Sequence, residues 1–334
     1  MDWNIGAGGG IVTKQDLILQ VNVPLCVRRC AYCSQTNGRY DPKLAAAYAS
    51  ALLREIEAVA PEMAGYRVRA VSIEGGSPAL LESADLQRLI RAIRHAFNLA
   101  EDVQISLQTM PGDYSRTLME KMRDNGVNFW IVGLETAERS EHEMLRRPYR
   151  FDALTMVDLA LRTFHPRDLS FDLLCGIPGQ TERGWMHSLE TALAYEPDHL
   201  TLWPLSLAGN SAFQQQCVAG ILEPMEPARR EELRGCAAER LASLGYRAYT
   251  RVDFCRPGKE YRFRLGQIEG TEQLGLGYRA VTVMDGLTWI NGHSLAEYLR
   301  SAGDYTVLAN GVTALEGEAK AAYDRAREDM RGNS

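Results

Sequence analysis

Between residues 16 and 205 the chain alternates short β-rich runs with stretches of helical length and periodicity, six units in all. The runs are Asp16 to Val23, Arg67 to Ile73, Val103 to Gln108, Asn128 to Leu134, Leu169 to Cys175 and Leu200 to Leu205. Helical stretches such as Pro42 to Ala60 and Ser83 to Phe97 lie between them, the second with Ser83 as its expected N-cap. Parallel neighbours need long crossovers, so this pattern predicts an α/β fold on a parallel sheet. Six units are too few to close an eight-stranded barrel. The expectation is a partial, open six-unit (β/α) TIM-like barrel with its functional residues at the C-terminal strand ends. Cys26, Gly75, Gln108, Glu135 and Cys175 all fall at or just past such ends.

After Leu205 the pattern becomes a linker, a helix from about Glu226 to Leu244, short strands around Tyr246 to Asp253 and a glycine-rich run from Gly266 to Gly277. The expected organisation is an N-terminal arm over 1–15, the partial barrel over 16–205 and a smaller α+β domain over 206–334 that covers the substrate. Glu316 to Met330 reads as a charged, solvated helix. Composition serves here to exclude. Against 43 acidic residues stand 37 Lys and Arg, a net charge of −6, without the basic surplus that nucleic-acid binding draws on. The opening MDWNIGAGGG is not a basic-then-apolar leader, and no run approaches the ~18 apolar residues of a bilayer span. A cytoplasmic protein with no membrane partner is expected.

Of seven cysteines, Cys26, Cys30 and Cys33 crowd into one short stretch, while Cys175, Cys217, Cys236 and Cys255 are scattered. That distribution suits a metal site in a reducing compartment and not a disulfide framework. Zinc would want a fourth Cys or His close by, yet His95, His142, His165, His187, His199 and His293 are all distant in sequence. Three thiolates on one loop suit a 4Fe-4S cubane with one iron left open. The other cysteines include no close pair, so a second cluster is not expected, and Cys175 reads as strand-end packing.

CxxxCxYC at the end of a first barrel strand resembles the signature of the radical S-adenosylmethionine (SAM) superfamily. The stretches QVNVPLCVRRCAYC, EGGSPALL, FDLLCGIPGQT and TEQLGLGYRA, in that order, resemble the oxygen-independent coproporphyrinogen III oxidase family. The resemblance implies a cluster held by Cys26, Cys30 and Cys33 whose open iron binds the amino and carboxylate groups of SAM. It matches Gly75, Gly76 and Ser77 to a glycine-rich turn at the methionyl end, where the missing Cβ permits close approach. It matches Arg147, with Arg146 as the alternative, to an arginine facing the SAM carboxylate. Asp172 corresponds to a contact near the ribose or adenosyl end. Gln108 stands where the oxidases have glutamate and Glu135 where they have glutamine, an exchange that keeps one amide and one carboxylate around SAM.

The departures from that family lie at the pocket. Glu74 replaces a glycine, Gln20 and Asn22 replace a tyrosine and a histidine on strand one, and Tyr261 to Gln267 reads YRFRLGQ where haem-handling relatives carry His-Asn-x-x-Tyr-Trp. The expected function is therefore a radical SAM enzyme that cleaves SAM to a 5′-deoxyadenosyl radical and abstracts hydrogen from a small organic substrate. The leading variant is natural-product tailoring such as C-methylation, by an oxidoreductase or methyltransferase-like transferase using a second SAM. A flavodoxin- or ferredoxin-like donor would supply the electron. The alternatives are a haem chaperone-like binding protein, with His293 as a lone candidate ligand, and a coproporphyrinogen oxidase-like decarboxylase. The intact cysteines, Gly75, Gly76 and Asp172 speak against a degenerate scaffold.

Overall fold

The computed structural model describes residues 15–34, 38–113, 115–151, 161, 168–207 and 209–331. Strands β1 (Gln15–Val23), β2 (Tyr66–Gly75), β3 (Leu99–Thr109), β4 (Phe129–Glu135), β5 (Leu169–Cys175) and β6 (His199–Pro204) pair side by side, in parallel and in chain order. Helices α1 (Pro42–Val59), α2 (Ser83–Ala96), α3 (Arg116–Asp124), α4 (Arg139–Leu145) and α5 (Glu182–Leu193) lie between them. The six units are those the sequence predicts, although β3 begins at Leu99 and not at Val103. Asp41 starts α1 by accepting from the amides of Lys43 and Leu44, with Pro42 in the first turn. Ser115 and Thr181 cap α3 and α5 in the same way. The expected cap at Ser83 is displaced by one residue: Ser83 is the first helical residue of α2, and Glu82 occupies the cap position without a side-chain hydrogen bond.

Successive strand side chains point to opposite faces. Leu17, Leu19, Val21 and Val23 of β1, Phe171, Leu173 and Cys175 of β5, and Leu200 and Leu202 of β6 join the main core with α1, α2 and α5. The alternate positions Gln20, Asn22, Glu74, Gln108, Glu135, Ser170, Asp172, His199 and Thr201 line a cavity on the other face. Cys175 is thus turned towards the helices, its thiol 3.7 Å from the Arg230 carbonyl.

The segment beyond residue 205 runs through α6 (Ala212–Val218), α7 (Pro227–Ser243), β7 (Asp253–Cys255), α8 (Arg262–Glu269), β8 (Glu272–Leu276), β9 (Val281–Met284), β10 (Leu287–Asn291), α9 (Leu295–Ser301), α10 (Tyr305–Leu308), β11 (Ala309–Ala314) and α11 (Gly317–Arg331). It is joined to the barrel through both edges of one sheet. β7 adds antiparallel to β6, and β8 adds parallel to β1 and carries β9, β10 and β11 beyond it. Ahead of α8, Tyr261 stacks on Phe129 with ring centroids 5.1 Å apart, and Phe263 joins Ile18, Ala70 and Ile131 in the same apolar cluster. α11 has no buried residue, as its charge predicts, yet Arg327 and Arg331 both donate to the Ile268 carbonyl near the end of α8. Among the described residues no helix is long and apolar enough to cross a membrane.

A buried carboxylate fastens the C-terminal elements to α1. Glu55 is fully buried and accepts from Gly277 N (2.7 Å), Tyr298 Oη (2.6 Å), Asn291 Nδ2 (2.7 Å) and Tyr305 Oη (2.8 Å). Burial pushes its carboxyl up from 4.5 to about 7 against the pull of these donors. The folded state therefore favours the protonated form. The stability this adds is complete below pH 4.5 and is lost as the pH rises through about 7. Thermal unfolding of the wild type and of Glu55→Gln between pH 5 and 8 should differ in slope. The wild type should lose on the order of 2–3 kcal/mol more across that window, at ~1.4 kcal/mol per pH unit. Parallel pH profiles would refute the assignment.

Candidate functional site

A cavity of about 710 Å³ opens on the inner face at the C-terminal strand ends, and nine of the ten residues expected from the sequence line it. They are Cys26, Cys30, Cys33, Gly75, Gly76, Gln108, Glu135, Arg147 and Asp172. Ser77 is the exception. It is fully buried, and its hydroxyl donates to Asp113 Oδ2 at 2.5 Å, so it braces the glycine turn from behind.

The cysteine loop and that turn hold each other. Gly76 N donates to the Val23 carbonyl and Ser77 N to the Leu25 carbonyl, while Tyr40 N donates to the Cys26 carbonyl. A Cβ on Gly76 would lie 2.3 Å from the Leu25 oxygen and 2.7 Å from Cys26 Sγ. On Gly75, whose φ is +120°, it would lie 2.3 Å from Asn22 Oδ1. The sequence suggests that these glycines make room for a ligand; their nearest neighbours are the strand and loop that carry the first cysteine.

Arg147 is 5% exposed and central. Its Nη1 donates to Tyr32 Oη at 3.0 Å and lies 3.5 Å from Cys30 Sγ, and its Nη2 donates to the Gly133 carbonyl at 2.6 Å. Glu135 Oε1 is 3.5 Å from Arg147 Nη1 and accepts from Tyr32 Oη at 3.0 Å. The Arg147 Nε is buried without a hydrogen-bond partner among the described residues. Arg146, the alternative, is exposed and caps α4 in the left-handed conformation at φ 53°. That turn sends the next side chain inward. Glu135 is itself left-handed, at φ 63°, where the β4–β5 register shifts between Gly133 and Glu135.

Gln108 Nε2 donates to Asp172 Oδ2 at 3.2 Å, whereas Glu135 bonds to Tyr32 and Arg147. The two exchanged residues thus share the cavity through different partners. Burial, with the nearby Glu135 and Asp253 carboxylates, pushes the Asp172 carboxyl up to about 8. Burial also pushes the Cys30 thiol up, and the Arg147 guanidinium opposes that rise. Two departures from the oxidase pattern are partners, because Gln20 Nε2 donates to Glu74 Oε1 at 2.6 Å.

Sequence reasoning missed a second set of cavity residues. Tyr261, Phe263, Arg264 and Gln267 belong to the YRFRLGQ run, noted in the sequence only for the motif it lacks, and all four line the cavity. The 261, 264, 267 spacing of one helical face was the available signal. Tyr261 Oη bonds to the Ser72 and Ser106 hydroxyls at 2.7 and 3.1 Å. His199, with Ser170 at 2.8 Å and Tyr249 at 2.7 Å, is kept neutral because burial pushes its imidazole down to about 4.

The family model described as the Radical SAM superfamily matches residues 23–192. The chain belongs to the radical SAM superfamily. The heme chaperone HemW of Synechocystis sp. is 26% identical over 276 residues, covering 80% of this chain and 66% of the chaperone. The oxygen-independent coproporphyrinogen III oxidase of Paracoccus denitrificans is 26% identical over 242 residues, 72% of this chain and 53% of the oxidase. Among solved structures, coproporphyrinogen III oxidase (HemN) from Escherichia coli, a radical SAM enzyme, superimposes with a TM-score of 0.79 at 21% identity. That match covers 95% of this chain and 76% of HemN, and it shows that the fold is the HemN-type partial barrel. This radical SAM chain spans less than two thirds of the length of the two curated relatives.

Membership implies a 4Fe-4S cluster and SAM, and the residues present fit them. Among the described residues no three His, Cys, Asp or Glu side chains gather closely enough around one metal ion. A cubane asks for something else, one thiolate per iron around a cage, and three cysteines spread along one cavity-lining loop supply that. The unpartnered Arg147 Nε is one more donor for an anionic ligand group. Gly76→Ala should leave the barrel folded by circular dichroism, cost about 2–3 kcal/mol through the forced shift of the cysteine loop, and lower the iron retained after anaerobic reconstitution severalfold. Wild-type iron content in this variant would show that the loop tolerates the displacement.

Proposed function

We propose that this radical SAM protein is an enzyme that reductively cleaves SAM at a cluster held by Cys26, Cys30 and Cys33 and abstracts hydrogen from a small organic substrate in the same cavity. The observation that carries the reading is the meeting of those cysteines with Gly75, Gly76, Gln108, Glu135, Arg147 and Asp172 in one cavity. When bound, the cluster and SAM supply one-electron cleavage to methionine and a 5′-deoxyadenosyl radical. The protein's own residues bind, orient and exclude water.

Arg147, fixed by Tyr32, Glu135 and the Gly133 carbonyl, keeps its Nε unpartnered among the described residues and would offer that donor and its charge to the SAM carboxylate. The Gly75–Gly76 turn lines the methionyl end without side chains in the way. Asp172 has an upward-shifted carboxyl and an amide neighbour in Gln108, so near neutral pH it can donate as well as accept towards the ribose. Adjoining the cavity at the cysteine loop is an outer groove lined by Val27, Arg28, Arg29 and Arg39, and Cys26, Arg28 and Arg29 line both groove and cavity. Its exposed cations and apolar Val27 suit an acidic flavodoxin- or ferredoxin-like electron donor. C-methylation and a second SAM have no observation of their own here and form no part of the reading.

The likeness to a heme chaperone defines the competing outcome. His293 is exposed and is not one of the cavity residues. Anaerobic reconstitution should give about four irons per chain, and replacing Cys26, Cys30 and Cys33 together by alanine should remove the visible absorption. Reduced with SAM, the wild type should form 5′-deoxyadenosine and the triple variant none above background. Arg147→Gln should weaken SAM binding at least tenfold, about 1.4 kcal/mol. Stoichiometric haem binding with no 5′-deoxyadenosine under any reductant would replace the enzyme by a haem carrier.

A further inference from the structure

The YRFRLGQ run and the turn from Gly277 to Val281 contribute cavity residues that the proposed SAM contacts do not use. Arg264 lies over the Trp203 ring with its guanidinium carbon 5.0 Å from the ring centroid. Its Nε is 3.5 Å from Asp253 Oδ2, and its Nη1 donates to Gln267 Oε1 at 3.1 Å. Gln267 Nε2 donates to Gln273 Oε1 at 3.1 Å, and Gln273 Nε2 donates to the Val281 carbonyl at 2.8 Å. Arg264 is thereby connected to the turn that carries a further cavity arginine, Arg279.

Arg279 has φ 67°, a left-handed conformation that glycine adopts freely and a residue with a Cβ does not. The turn is over-determined around it. Its own amide donates to the Asn291 carbonyl, Asn22 Nδ2 donates to the Tyr278 carbonyl at 2.5 Å, and Val281 N donates to Gln20 Oε1 at 2.8 Å. Among the described residues the Arg279 guanidinium makes no hydrogen bond or ion pair, although it lines the cavity. The carboxylates that share the cavity are engaged elsewhere. Glu74 accepts from Gln20 and Ser72, Glu135 from Tyr32, and Asp172 from Gln108. The cavity lining therefore carries an exposed guanidinium with no counter-charge of its own, on a backbone that the surrounding hydrogen bonds fix.

We propose that Arg279, with Arg264 in the same cavity, anchors a carboxylate of the substrate, so that the substrate class is a small organic acid. A planar fork matches a planar carboxylate. Phosphate is the less suited oxyanion, because phosphate sites draw on free helix N-terminal amides. At the start of α8 the first two are taken: Tyr261 N donates to Tyr249 Oη and Arg262 N to Gln104 Oε1. Smallness follows from volume, since about 710 Å³ is the space one drug-sized ligand ordinarily fills and here SAM shares it. The inference rests on reading the cavity as a SAM-dependent active site.

The test uses reconstituted, SAM-saturated protein titrated with acetate and glutarate and with their neutral counterparts acetamide and glutaramide. These probes are small enough to enter whatever the natural substrate's shape. Trp203 emission reports binding, with Trp203→Phe as the signal blank. Each acid should bind at least tenfold tighter than its amide. Arg279→Gln should erase most of that preference, and Arg279→Lys should restore part of it through charge without the fork. Inorganic phosphate should bind more weakly than glutarate. Equal binding of acid and amide by the wild type, an unchanged preference in Arg279→Gln, or tighter binding of phosphate overturns the proposal. Visible absorption and SAM affinity, measured on the same samples, separate the two readings. A normal cluster and SAM affinity without acid preference removes the organic-acid class alone, and the reverse pattern removes the SAM reading alone.

Discussion

The two-residue period of the strands is the constraint on which this molecule depends. In β1 it sends Leu17, Leu19, Val21 and Val23 into the helix-covered core and leaves Gln20 and Asn22 on the cavity face. The same division in β2, β3 and β5 leaves Ser72, Glu74, Ser106, Gln108, Ser170 and Asp172 on the inner side. Such groups cost about 1–3 kcal/mol each when buried without partners. The segment after residue 205 supplies many of those partners. Tyr261 satisfies Ser72 and Ser106, Tyr249 satisfies His199, and Asp253 satisfies Thr201. The barrel's polar face and the C-terminal segment are one hydrogen-bonded unit.

Charge is handled differently on the two sides of the sheet. Glu55, among the helices, is surrounded by neutral donors and, among the described residues, has no cation against it, so burial decides its protonation. On the cavity side Arg147 is buried together with a carboxylate, a phenol and a thiol that all favour its charge. A shift in pH is felt first as loosened attachment of the C-terminal elements at Glu55, while the guanidinium beside the cysteines keeps its charge throughout.

The six strands, the cysteine loop and the glycine pair were legible in the sequence because each has a local signature: alternation, a spacing of thiols, two glycines at a strand end. Gln108, Glu135, Arg147 and Asp172 were reached only through the resemblance to the oxidase family, and the fold brings them to the same cavity. Ser77 was misread because its neighbours suggested exposure to a ligand, whereas its hydroxyl faces Asp113, 36 residues away. The cap expected at Ser83 failed by one position, since nothing local fixes whether the first turn begins on or after a serine. The left-handed backbone at Glu135 and Arg279 has no counterpart in residue type. The role of the YRFRLGQ run was hidden because Tyr261 reaches Ser72, Ser106 and Phe129, more than a hundred residues earlier. The attachment of β8 to β1, Leu17 against Glu272, is a long-range pairing that no periodicity announces.

That last pairing has a consequence for how the protein comes into being. β1 lies inside the sheet, between β2 and β8, so one side of this strand stays open until the chain has passed residue 276. The cysteine loop directly follows that strand. During synthesis the thiols therefore lie beside an incompletely paired strand until residues 272–276 are made, and the attachment at Glu55 waits for Asn291, Tyr298 and Tyr305. A cluster delivered in that interval would meet an open, accessible loop, whereas one delivered to the finished chain would have to enter through the cavity or the outer groove.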